Sequence, residues 1–297
     1  MAKSLGYQTQ TTETNYNLNF QIAITDEEYN KLIDIIANVR NFGNHIGIVR
    51  NIEANVIELI NFFPTIFDNF DELSTPWETL DFFYLEINRR LLNYLSSIYA
   101  YFEHTEMFIT QKYGRKSVFL QEFLNRKKDF INECFENRFL FELRNFSQHC
   151  GIPITVIAWL PVYENGNPKS VAKKKFIGFE RNQLIIKYKK WGTLLTSEIK
   201  SKDETIDLWP ILNNSFQSLK KLYLEITSKI ADSYLPGVEF IDAITSNLDK
   251  TKRIIIYNTT ATDDPKVYEI NIGYIPWHWI NEIKKSTGAT HAKSPLG

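Results

Sequence analysis

Cysteine, glycine and long apolar runs are all scarce in this chain, and each scarcity excludes something. With only Cys134 and Cys150 among 297 residues there is no zinc-binding spacing and no basis for a disulfide framework. Both cysteines read as small apolar side chains, and no metal or other cofactor is expected. No stretch approaches the roughly 18 uncharged apolar residues that mark a membrane helix, and the Thr-, Gln- and Asn-rich start lacks the basic and apolar regions of a secretory signal. A soluble, cytoplasmic protein with no membrane partner is therefore expected. The 12 glycines are too few for a fibrous or low-complexity chain. Also missing are G-x-S-x-G, a P-loop, a dinucleotide fingerprint and H-E-x-x-H, which argues against serine hydrolases, NTPases, nicotinamide enzymes and zinc proteases.

Aromatic residues are plentiful, 14% of the sequence with 21 Phe and 15 Tyr, and they sit mostly in patterns of helical period. Thr25 and Glu28 form a capping box ahead of the stripe Tyr29, Leu32, Ile36, Val39, a helix expected to end near Gly43. A second helix is expected over about 46–63, stopped by Pro64. Thr75, as N-cap, with Pro76 and Glu78 then opens the longest one, which runs to about Tyr113. The next spans 117–141. Strand patterns are fewer. Residues 16–24 alternate, and after Gly151 come apolar or alternating runs at 154–160, 174–179 and 184–188, the last two flanking a turn at Arg181-Asn182. Helices follow at 210–232 and 236–248, then a hairpin of 253–257 with 267–272, a helix at 276–285 and a flexible tail from Ser286. The fold class is thus mainly α (α+β). An up-and-down helical bundle with an N-terminal strand fills 1–150, a small antiparallel β insert 151–202, a helix returning to the bundle 203–235, and a hairpin-and-helix appendage 236–297.

A net charge of −1 conceals an uneven distribution. From Asp26 to Glu86 there are 12 acidic and 3 basic residues, and from Lys112 to Lys190 there are 16 basic and 7 acidic, so the two stretches carry −9 and +9. Between residues 169 and 190, 8 basic residues face a single acid and alternate with Phe176, Phe179 and Tyr188. Lys173, Lys174, Lys175 and Lys187 suit the backbone of a single RNA strand with bases stacked on the aromatics. A lysine-protected sheet edge accounts for the same residues equally well.

The densest polar chemistry lies at Asn137–Ile154. Phe139, Leu140, Leu143 and Phe146 mark a buried helix face, and Gly151 with Pro153 ends the helix, so Arg144, Asn145 and His149 ride its last turns. Asn145 and His149 are four apart and share a face. Arg144 and His149 are five apart and stand about 140° from each other around the axis. Arg144-Asn145-Phe146-Ser147-Gln148-His149 resembles the R-x4-6-H motif of the HEPN superfamily of helical ribonucleases, with Asn145 at the polar position that often follows the family's Arg. The resemblance implies a helical bundle and a metal-independent endoribonuclease of the sort found in toxin and phage-defence systems. It also implies a homodimer with its motif helices near the two-fold axis, RNA as substrate and a regulatory partner protein.

Two further groups join the candidates. Arg40-Asn41-Phe42-Gly43-Asn44-His45-Ile46-Gly47-Ile48 closely copies residues 144–152, which makes Arg40, Asn41 and His45 a second motif. Along the longest helix, Asn93, Ser97 and His104 belong to a polar stripe that could line the same groove. The alternative to a nuclease is a non-catalytic HEPN-like RNA-binding or protein-interaction scaffold, in which Arg144 is tied to Glu142 or a backbone carbonyl and His149 to the last carbonyls of its helix.

Overall fold

The computed structural model describes residues 3–10, 16–71, 74–163, 171–261 and 268–291. Its helices are α1 (Asp26–Asn69), α2 (Trp77–Tyr113), α3 (Val118–Glu133), α4 (Phe135–Cys150), α5 (Arg181–Lys187), α6 (Thr193–Lys200), α7 (Leu208–Asp232), α8 (Leu235–Ile244) and α9 (Trp277–His291). Its strands are β1 (Lys3–Gln10), β2 (Tyr16–Ala23), β3 (Val156–Tyr163), β4 (Val171–Glu180), β5 (Thr205–Asp207), β6 (Ile254–Ala261) and β7 (Tyr268–Tyr274). Among the described residues the protein is mainly helical with two small antiparallel sheets. No helix among the described residues is long and apolar enough to cross a membrane.

The chain divides into two compact units, one of residues 1–46 with 224–297 and one of residues 47–223, so α1 and α7 each run from one unit into the other. In the first unit the N-terminal strand pattern, β2, finds its partner in β1, and β1 in turn pairs with the C-terminal hairpin, in the order β2-β1-β6-β7. Gly6 sits at a bulge in β1, and a Cβ there would stand 2.1 Å from the carbonyl oxygen of Asn19. The core joins Leu5 and Ile254–Ile256 of the sheet to Leu32, Ile36, Val39 and Phe42 of α1, Ile226 and Ile230 of α7, and Ile280 and Ile283 of α9. The capping box is present: Glu28 N–H donates to Thr25 Oγ1 at 3.1 Å and Thr25 N–H to Glu28 Oε2 at 2.8 Å.

In the second unit α2, α3 and α4 pack on one another, and the sheet order is β3-β4-β5. Buried Asn88 of α2 fixes where the chain goes after α4. Its amide donates to Ile154 O at 3.2 Å and accepts from Ile154 N–H at 2.9 Å, while Tyr84 OH donates to Thr155 O at 3.2 Å. These bonds satisfy the backbone of the segment leading into β3 where strand pairing does not.

Several expected boundaries are corrected. Helix α1 does not stop at Gly43 but passes through Gly43, Gly47 and Pro64. Gly43 is buried, and a Cβ there would meet the Trp279 indole of α9 at 2.5 Å, so this glycine admits a neighbour and does not end a helix. Pro64 forfeits one backbone bond, which the burial of Phe62, Phe63 and Ile66 around it offsets. Thr75 does not cap α2, because its hydroxyl accepts from Asp71 N–H at 2.7 Å, and Pro76 stands at the cap position without a side-chain bond. The helix expected over 117–141 breaks at Cys134, which is extended at φ −145, ψ 166. Residues 184–188 are not a strand: 181–187 form α5, held by Trp191 Nε1 donating to Leu184 O at 3.0 Å, and β4 pairs with 205–207 instead. Helix α8 ends at Ile244, and residues 286–291, expected as tail, continue α9. The remainder of that tail, 292–297, lies outside the described residues.

Candidate functional site

Helix α4 starts after the extended Cys134, and Gly151, at φ 100, ends it in a conformation that disfavours side chains with a Cβ. Its inner face is aromatic. Phe139 and Phe146 stack on Trp191 with centroids 5.7 Å away in each case, and Phe146 meets Tyr188 edge-on at 6.0 Å. That clamp sets the helix rotation, and with it the direction of every polar residue in the motif.

Arg144 emerges half-buried at the edge of this face, with its guanidinium carbon 4.2 Å from the centroid of the Tyr99 ring. Tyr99 itself stacks on Phe141 at 4.3 Å and donates its hydroxyl to Phe141 O at 2.8 Å, so the platform under the arginine is fixed. Glu142 does not bond to Arg144. Its Oε2 accepts from Asn145 Nδ2 at 3.2 Å and its Oε1 from Tyr188 OH at 2.6 Å. The Nε of Arg144 is buried and has no hydrogen-bond acceptor among the described residues. A guanidinium held by a ring face, with a buried donor unmet, favours any anion that can reach it.

The surrounding tyrosines carry the imprint of this charge pattern. Burial above all, with Glu142 adding to it and Arg144 opposing, pushes the Tyr99 hydroxyl up to about 12. Burial and the bond to Glu142 raise Tyr188 further. Both therefore stay neutral hydrogen-bond donors at physiological pH. His149 lies in the last turn of α4 and is exposed. Ser147 bonds back to Leu143 O at 2.8 Å, and Cys150 Sγ contacts Lys187 O at 3.2 Å, which docks α5 beside the end of α4.

The other sequence candidates part company. Of the stripe on α2, Asn93 and His104 are exposed, but Ser97 is buried and donates to Tyr94 O at 2.7 Å. Nearer the start of α2, Glu86 bonds Arg89 and Arg90, and Arg89 also bonds Glu58 at 3.1 Å, while Arg90 stacks on Phe62 at 4.2 Å. These arginines hold Glu86 well below the usual carboxylate range, down to about 2. That part of α2 is an ion-pair cluster closed on itself, not a groove.

The second motif lies in the other unit. Arg40 and Asn41 are exposed, whereas His45 is 2% exposed with Nε2 3.3 Å from Thr227 Oγ1, and burial pushes it down to about 4. It serves the core in the middle of a helix, unlike His149 at a helix end. Of the lysines, Lys187 is exposed on α5. Lys175 on β4 is exposed, 3.6 Å from Asp68, with its ammonium 5.5 Å from the Phe67 ring centroid. Lys173 and Lys174 pair with Pro161 and Leu160 along β4, and their side chains lie outside the described residues.

Tyr99 escaped the sequence reading, because it lies on α2 outside any motif, and Tyr188 was in view only as one of three aromatics for stacking bases, a role that its burial with Phe176 and Phe179 does not allow. Glu142 was in view only as a partner for Arg144. Among the described residues no group of three or more His, Cys, Asp or Glu side chains is placed to hold a metal ion. Compared with models of known protein families, with characterised proteins and with solved structures, the chain matches none.

Proposed function

We propose that this chain is a metal-independent endoribonuclease of HEPN type, acting in the cytoplasm as a toxin or antiviral effector. The observation that carries the reading is Arg144, held half-buried on the Tyr99 ring with its Nε unmet while Glu142 is occupied by Asn145 and Tyr188. A purely structural arginine would satisfy Glu142 or a carbonyl, so the arrangement favours a phosphate ligand. In the proposed reaction the His149 imidazole takes the proton of a ribose 2′-OH, whose oxygen attacks the adjacent phosphorus. The bond to the 5′-oxygen breaks, the departing oxygen takes a proton from water, and Arg144 stabilises the charge on the phosphoryl oxygens. The products are a 2′,3′-cyclic phosphate and a 5′-hydroxyl end.

Arg144 and His149 project about 140° apart from one regular helix, so two copies facing each other make the more compact site. Exposed Ile152 and Ile186, at 53% and 65%, flank the end of α4 and suit burial against a second copy. RNA incubated with the chain in EDTA should be cut, and His149→Ala or Arg144→Ala should each slow cutting by about 10²-fold or more. Mixing the two inactive variants should restore activity if the site is shared between subunits. Cleavage that requires Mg²⁺, or an unchanged rate in His149→Ala, would rule the mechanism out.

A further inference from the structure

The second half of α1, strands β4 and β5 and the start of α7 line an open cavity of about 360 Å³ that the reaction above does not use. Its walls are aromatic. Phe63, Phe67 and Trp209 line it, with the Phe63 and Trp209 rings 5.7 Å apart and inclined at 56°. Phe63 is buried, but Trp209 keeps 47% of its surface exposed, so a large indole face is left on offer beside the cavity. The volume falls in the range typical of small-molecule sites, roughly 300–1,000 Å³.

The polar groups narrow the chemistry. Asp207 lines the cavity and its Oδ1 accepts the N–H of Trp209 at 3.0 Å. A carboxylate offers about four lone-pair sites, so Asp207 can accept from a ligand N–H as well. Lys175 stands at the rim, leaning over Phe67 and 3.6 Å from Asp68. Two carboxylates beside one ammonium make the interior poor for a phosphate and suited to a neutral ring bearing amine donors. Lys175, at that rim, suits the backbone to which such a ring is attached.

We propose that this cavity receives one unstacked nucleobase carrying an exocyclic amine, presented by a single RNA strand. The base stacks on Trp209 and Phe67, Asp207 accepts from its amine, and the adjoining phosphate lies on the Lys175 side. This deepens the nuclease reading by naming a single-stranded, amine-bearing substrate, and it rests on that reading for its substrate class.

The test measures binding without cleavage, in the full chain carrying His149→Ala, by fluorescence anisotropy with short labelled oligo(A) and oligo(U) RNA. Oligo(A) should bind more tightly than oligo(U). Trp209→Ala should weaken oligo(A) binding by roughly tenfold, as loss of one stacked base does, and Trp209→Phe should retain most of it. Asp207→Asn, whose amide can both donate and accept, should erase the preference for oligo(A) over oligo(U). Circular dichroism establishes that each variant is folded. Equal binding of the two RNAs, or unchanged oligo(A) binding in folded Trp209→Ala, would overturn the proposal, and AMP binding as tightly as the oligomer would overturn the strand as source. If the unmutated chain binds RNA in this way but never cuts it, the nuclease reading fails and the cavity assignment stands. Cutting that persists with oligo(A) affinity untouched by Trp209→Ala overturns the cavity assignment and leaves the nuclease reading in place.

Discussion

Two glycines four residues apart in α1 should respond to the same substitution with opposite signs. Replacing glycine by alanine inside a helix removes backbone entropy from the unfolded chain and stabilises by about 1 kcal/mol where the space is open. Gly47 meets that condition, being exposed with nothing within 4 Å of the point where a Cβ would stand, so Gly47→Ala should stabilise by about that amount. At Gly43 the new methyl would meet three indole atoms of Trp279 at 2.5, 2.6 and 2.7 Å, closer than real Cβ contacts come. Displacing a packed indole belongs with overpacking, which costs about 1–3 kcal/mol and outweighs the helix gain. Gly43→Ala should therefore destabilise by about 1 kcal/mol, a separation of about 2 kcal/mol from its neighbour. Urea denaturation followed by far-UV circular dichroism reads both. The mechanism is isolated by repeating Gly43→Ala in a Trp279→Ala background, where the obstacle is gone and the substitution should turn stabilising. If Gly43→Ala stabilises the unaltered chain as Gly47→Ala does, the close approach of α9 to α1 is wrong.

His45 sets a pH dependence. Its folded value, about 4, lies below the ordinary 6.5, so the unfolded chain binds more protons between those values. Its contribution is complete above pH 6.5 and is lost as pH falls through about 4, amounting to about 3 kcal/mol at roughly 1.4 kcal/mol per unit. His45→Gln should flatten the fall in urea midpoint between pH 7 and pH 4.5, and an equal fall in both proteins would refute this origin. Replacing Lys173, Lys174, Lys175 and Lys187 together by Gln should weaken RNA binding and reduce the slope of log K against log salt, while the His149 and Arg144 chemistry is left in place. Indifference to all four would favour the protected sheet edge.

The sequence by itself determined what depends on local period and local chemistry. The apolar stripes of α1, α2 and α7, the alternation of β2, the hairpin pattern behind β6 and β7, and the Thr25–Glu28 box are all readable because a helix or strand face must repeat at its own period to be buried. The end of α4 was equally legible, since Gly151 and Pro153 leave few alternatives. What only the tertiary structure decided is where each element finds its partner. Gly43 reads as a stop until Trp279 is packed against it, and 184–188 reads as a strand until Trp191 holds it as a helix. Arg40–His45 and Arg144–His149 are nearly one sequence, yet one histidine is sealed into a core and the other faces solvent. The platform beneath Arg144 and the cavity beside Trp209 draw on residues tens to more than a hundred positions apart. No local rule brings them together, because the energy that selects their contacts comes from burial against distant parts of the chain, which leaves no periodic trace in the sequence.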